Sequence, residues 1–185
     1  FFVSENPVLR RVLARVVPQS GLLITGGPRS ERDPWRIMNS LYALDGAGSV
    51  VATFDKFHLV PFGEYVPLAR YLPIEMPTGG KTGFTPGPGP RTLRLAGLPP
   101  VGPLICYEVI FPGNVTDPDD RPQWLLKLTN YARYGVSASP YQHPAQARLR
   151  ATPDPWLMLR ASRPRLTPVI DPYVRARRAP RLHRP

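Results

Sequence analysis

A chain of 185 residues with 42% hydrophobic content can bury a real core as one domain, and 26 prolines exclude a helical bundle in favour of many turns and loops. The net charge of +11 suits a polyanion, nucleic acid or an anionic lipid surface alike, but ten arginines against only Asp154 and Asp171 follow Pro144, so the charge belongs to a tail. A single cysteine, Cys106, excludes an intrachain disulfide framework and a thiolate-rich zinc site, and no apolar run reaches the roughly 18 residues of a membrane span.

The chain opens on "FFVSENP" without a start methionine or signal-like segment, as the interior of something longer would. Asn6 as cap and Pro7 at the first helical position begin an amphipathic helix, with Val8, Leu9, Val12, Leu13 and Val16 on one face and Pro18 and Gly21 as stops. "LLITGGP" is a short strand. "RIMNSLYALD" and "SVVATFDK" flank Gly46-Ala47-Gly48 as a β-hairpin. "PTGGKTGFTPGPGP" is a surface loop that lacks the spaced upstream glycine of a phosphate cradle.

"RTLRLAG" and "VGPLICYEVIFPG" read as two strands, and "QWLLKLTN" as a third of the buried type. "SPYQHPAQARLRAT" suits a helix entered at Pro144, and "WLMLRAS" and "TPVIDPY" are short strands between prolines. "VRARRAPRLHRP" has no apolar periodicity and is expected to be disordered. Alternating strands and helices give an α/β domain.

Three residues could carry chemistry. Cys106 ends the apolar run from Val101 to Ile105, where a thiol at a strand end can be presented as a nucleophile, although a cysteine in such a run is also a common inert core residue. Lys56, if folded beside that thiol, would stabilise a tetrahedral oxyanion, and Glu64 would hold the lysine charged and aimed. The bland alternative is an exposed lysine and an unrelated loop glutamate. His58 and His143 carry no metal-ligand pattern, and Trp35, Trp124 and Trp156 are scattered as core residues are.

"FDKFHLVPFGEYVPL", "LICYEVIFPG", "LLKLTN", "SPYQHPAQARLRA" and "VIDPY", in that order, resemble the nitrilase-type (carbon-nitrogen hydrolase) domain of bacterial apolipoprotein N-acyltransferase from about Phe1 to Tyr173. The resemblance implies a nitrilase-like α-β-β-α sandwich, incomplete at the N-terminus, over residues 1–173, followed by a basic disordered tail over 174–185. It implies a Glu-Lys-Cys triad with Lys56 and Cys106 as catalytic residues, Glu64 as the family's second essential glutamate, and Tyr107 and Glu108 as site support. Cys106 would take an acyl chain from a phospholipid donor as a thioester and pass it to the diacylglyceryl cysteine of an apolipoprotein acceptor. No metal or other cofactor is implied and no nucleic acid is expected. The setting would be the surface of the bacterial inner membrane, on its periplasmic side.

The departures also set expectations. The family's base is a glutamate in a Trp-Pro-Glu segment upstream of the part matching "FFVSENP", and Glu5 lacks that context, so acyl transfer by this chain is expected to be impaired. Where the family has Asn-Asp-Ala-Trp-(Phe/Tyr)-Gly, this chain has Asn130-Tyr131-Ala132-Arg133-Tyr134-Gly135. Where it has Arg-Ala-(Ala/Thr)-Asn-Thr-Gly, this chain has Arg160-Ala161-Ser162-Arg163-Pro164-Arg165. Two other functions fit parts of the pattern: a soluble amidase of the nitrilase superfamily, and a non-catalytic polyanion-binding protein using the arginine-rich tail.

Overall fold

The computed structural model describes residues 2–18, 20–68, 83–111, 114–130, 157–163, 169–170 and 176–177. The chain divides into two compact units, Phe1–Gly89 and Pro90–Pro185.

The first unit starts with α1, Pro7–Ala14, whose Asn6 cap accepts the Leu9 N–H at 2.9 Å. Only part of the expected apolar face is buried. Leu9 and Leu13 pack on Val3, Tyr42 and Leu44, whereas Val8, Val12 and Val16 remain exposed. Successive helical residues lie about 100° apart. A two-turn helix therefore turns one i, i+4 row to the sheet and leaves the neighbouring row outside.

Three antiparallel strands follow in the order β1-β2-β3: β1 Leu23–Arg32, β2 Trp35–Leu44 and β3 Val50–Asp55. β1 runs past Pro28, beyond the end expected from sequence, because it is an edge strand where a missing N–H is tolerated. The β2–β3 hairpin forms as expected. Its turn is tied by Asp45, which accepts the Ala47 and Ser49 N–H groups, while Gly48 adopts a φ of 79° against the Arg10 carbonyl. Trp35, expected in the core, is exposed at the start of β2 beside the β1–β2 turn.

In the second unit the strand order is β4-β5-β6-β7-β8, with β4 Val101–Ile105, β5 Trp124–Asn130, β6 Leu157–Arg163, β7 Val169–Ile170 and β8 Ala176–Arg177. β4, β5 and β6 are parallel, and β7 and β8 add antiparallel pairs. "RTLRLAG" does not form the expected strand. It makes a single bridge between Leu93 and Val101, and the flanking Thr92 and Arg94 side chains turn instead to Asp120. "VGPLICYEVIFPG" likewise stops being a strand at Ile105 and continues as a 3-10 turn, Cys106–Ile110. Leu104, Val109, Val115, Leu125 and Met158 form the core beneath that turn. The helix expected at "SPYQHPAQARLRAT" lies outside the described residues.

Gly87 links loop and sheet in the first unit. Its N–H donates to the Lys56 carbonyl at 2.8 Å, and an added Cβ would stand 2.3 Å from the Asp55 carbonyl oxygen. Backbone cannot yield as a side-chain tip can. Gly87→Ala should therefore destabilise the protein by about 1 to 3 kcal/mol in urea unfolding, a cost typical of overpacking.

Candidate active site

β3 hands over directly to the first part of the site. Asp55, its last residue, takes two hydrogen bonds from the Arg29 guanidinium at 2.9 and 2.7 Å and one from Ser40 at 2.5 Å. Lys56 is still held to β2 by its N–H on the Asn39 carbonyl at 2.8 Å. Beyond it the chain turns back on itself: Phe62 has a φ of 60°, its N–H donates to the Tyr65 carbonyl, and the Glu64 N–H donates to the Val60 carbonyl. A non-glycine residue in the left-handed region costs about 1 to 3 kcal/mol.

That turn brings Glu64 to Lys56. Glu64 Oε2 lies 2.6 Å from Lys56 Nζ and accepts the Val60 N–H at 2.9 Å, and Oε1 accepts from Asn39 Nδ2 at 2.9 Å. Lys56 is 1% exposed and Glu64 8%. The exposed-pair alternative is thereby excluded. A carboxylate with three donors offsets much of the desolvation cost of burying both charges. His58 stands in the same segment against the Phe57 ring, and burial, followed by the positive charge of Lys56, holds its imidazole below the ordinary histidine range.

Cys106 occupies the junction between β4 and the 3-10 turn, half-buried, with a φ of 54°. A left-handed, non-glycine residue between a strand and a helical turn is the backbone geometry of a nucleophile elbow, which lifts a side chain above the end of a sheet. Glu108, fully buried, accepts the Ile105 N–H at 2.7 Å and so ties the turn back to the last strand residue before the cysteine. Tyr107 packs edge-on against Phe111, with ring centroids 5.2 Å apart.

The carbon-nitrogen hydrolase family matches residues 6–153. This chain belongs to that family.

Among curated relatives of this carbon-nitrogen hydrolase chain, the apolipoprotein N-acyltransferase of Bradyrhizobium diazoefficiens is 40% identical over 183 residues, covering 95% of this chain and 34% of its own length. That of Rhodopseudomonas palustris is 39% identical with the same coverage, and that of Brucella melitensis 33% identical. The chain thus spans about a third of the length of the curated relatives it matches. Among solved structures, an amidase from Nesterenkonia sp. superposes with a TM-score of 0.63 at 22% identity, covering 94% of this chain and 61% of the amidase. A variant of the Nesterenkonia AN1 amidase, described as from the nitrilase superfamily, gives 0.60 at 22% identity over 90% of this chain and 59% of that one. Identity at that level speaks to fold alone, and the fold is the nitrilase-type α/β fold expected from sequence.

Within this chain, Lys56 and Glu64 lie together in the first unit, and Cys106, Tyr107 and Glu108 lie together in the second. Glu5, set apart from the family's base, accepts a hydrogen bond from Ser30. His143, Trp156 and the departures at 131–135 and 164–165 lie outside the described residues. Three polar residues escaped the sequence reading. Asn39 orients Glu64, Arg29 clamps Asp55, and Lys127 is fully buried in β5. For Asn39 and Lys127 the available signal was a polar residue inside an otherwise apolar stretch, as in "IMNSLYAL" and "WLLKL".

Removing Glu64 would leave the Lys56 ammonium buried without its carboxylate. Glu64→Ala should cost about 3 to 5 kcal/mol by chemical denaturation, and Lys56→Met in the same background should recover much of that loss. The histidine adds a pH dependence of definite sign. Because the folded value lies below the unfolded value of 6.5, the unfolded chain binds more protons between the two. Stability should fall as pH drops from 6.5 through the folded value and then level off. His58→Gln should flatten that part of a plot of urea midpoint against pH.

Proposed function

We propose that this chain is the acyl-transfer part of an apolipoprotein N-acyltransferase, with Cys106 as nucleophile, Lys56 as oxyanion stabiliser, Glu64 as the group that holds Lys56, and Tyr107 and Glu108 as support for the elbow. The observation that carries the chemistry is the left-handed backbone of Cys106 at the end of β4, with the buried Glu108 fixing the peptide before it. The substrate class rests on relatives of that name, 40% and 39% identical across 95% of the chain.

The thiolate of Cys106 attacks the acyl carbonyl carbon of a phospholipid ester. A carbon–sulfur bond forms and the carbonyl π pair moves onto oxygen, where the Lys56 ammonium stabilises it. Collapse restores the carbonyl and breaks the carbon–oxygen bond. The glyceryl oxygen takes a proton and leaves as lysophospholipid, with a thioester on the enzyme. The α-amine of a diacylglyceryl cysteine then attacks the thioester carbonyl, the carbon–nitrogen bond forms, and the sulfur departs as thiolate while the amine gives up a proton to a base. Both substrates place the reaction at a membrane surface, which we assign to the periplasmic side of the bacterial inner membrane. Among the described residues no helix is long and apolar enough to cross a membrane.

The soluble-amidase alternative uses the same cysteine with an amide in place of the ester. It draws on the Nesterenkonia amidases, one of which is described with acrylamide added at its active site cysteine, at 21% identity. The nearly twofold higher identity to the acyltransferases favours the lipid reaction. Polyanion binding through the tail has only the net charge of +11 behind it.

An activated acyl ester carrying a fluorophore should label the folded protein on one residue, read by intact-mass spectrometry, and Cys106→Ala should abolish the label. Lys56→Met should slow labelling by about 10²- to 10³-fold, the usual loss for one oxyanion donor. A folded chain that never takes up the acyl group, or labels equally well without Cys106, would rule out the proposal.

A further inference from the structure

Thr129 lies at the C-terminal end of β5, in the parallel part of the second sheet. The register pairs Ile105 with Leu128 as the last step between β4 and β5, so Cys106, the first residue past β4, and Thr129 each directly follow that last pair. On its other side Thr129 pairs with Ser162 of β6. Side chains alternate along a strand, which puts Thr129 on the same face as Leu125. Leu125 shares a core cluster with Val109 of the 3-10 turn, so this is the face that the elbow turn covers. Thr129 is 4% exposed, and among the described residues its Oγ1 has no hydrogen-bond partner.

A buried hydroxyl without a partner is rare in folded proteins and costs stability, so it asks for a reason. Its position supplies one. In open sheets with parallel strands, ligands bind beyond the carboxyl ends of the strands, where β4, β5 and β6 all end here. Packing alone would be better served at this position by valine, which has the same shape without the polar atom. A hydroxyl kept dry beside the strand that ends in the thiol is preorganised to meet a polar ligand atom at no cost in reorganisation.

We infer that Thr129 is a hydrogen-bond donor to the acyl group that reacts at Cys106, its Oγ–H meeting the acyl carbonyl oxygen as that oxygen gains charge. This rests on the assignment of Cys106 as nucleophile. The hydroxyl transfers no proton: it holds the oxygen while the carbon–sulfur bond forms and releases it when the carbonyl is restored.

The experiment compares two reactions of the thiol on the full chain. Acylation by an aryl ester passes through a carbonyl oxyanion, whereas alkylation by iodoacetamide displaces iodide at a methylene carbon and does not. Thr129→Val should slow acylation by about tenfold or more, leave the alkylation rate within about twofold, and keep or raise the melting temperature, since it removes an unsatisfied polar atom. Thr129→Ser should retain most of the acylation rate. Acylation that depends on Cys106 but ignores Thr129→Val would overturn the inference and leave the nucleophile standing. Parallel losses in both reactions would assign the hydroxyl to the sulfur or the fold, and overturn it too. Acylation that persists in Cys106→Ala, or is absent from the native chain, would overturn the nucleophile assignment itself and this inference with it.

Discussion

An ammonium cannot be left buried without a partner, and this condition at Lys56 organises much of the first unit. The lysine is sealed from solvent just past the end of β3, so a carboxylate must be delivered to it within the same dry region. Glu64 meets the condition because the intervening segment doubles back through a left-handed Phe62. The carboxylate's remaining capacity is filled by Asn39 and by the Val60 N–H, so neither oxygen is left without a donor. Asn39 thus serves the pair twice, with its carbonyl on the Lys56 backbone and its amide on the Glu64 side chain. Strand pairing and charge compensation are one network here. Such a network holds a buried ammonium rigidly.

The second unit solves a related problem with backbone rather than charge. A residue in the left-handed region persists only where its surroundings over-determine it. At Cys106 those surroundings are the parallel pairing of β4 with β5 on one side and the core contacts of Val109 on the other. Glu108 adds a buried carboxylate across the junction. Pro103 fits three residues before Cys106 because β4 stands at the end of the strand order, where a missing N–H breaks no ladder bond.

Much of this was legible in the residues. Asn6-Pro7 marked a helix start, Gly46-Ala47-Gly48 marked a hairpin, and the apolar runs marked β4, β5 and β6, because capping, turn chemistry and hydrophobic runs are local signals. The errors share a cause. "RTLRLAG" has the alternation of a strand, yet its polar positions found Asp120, a partner 26 residues away from Arg94 and invisible to a local pattern. Val8, Val12 and Val16 matched a helical face, but how wide a stripe is buried depends on what the helix packs against. Trp35 is apolar enough for a core and sits where a turn exposes it.

The order and spacing of Lys56, Glu64, Cys106, Tyr107 and Glu108 were enough to point to the family, since residue type along the chain is what a family pattern records. They also limited the chemistry, because a thiol, an ammonium, a phenol and carboxylates were what those positions offered. Tertiary structure alone decided that Lys56 is sealed from water, that Asn39 is the third member of its network, that Cys106 adopts a left-handed backbone, and that the Thr129 hydroxyl is buried with no hydrogen-bond partner among the described residues. Burial and hydrogen-bond satisfaction are sums over neighbours brought in from distant parts of the chain. No local stretch of sequence contains them.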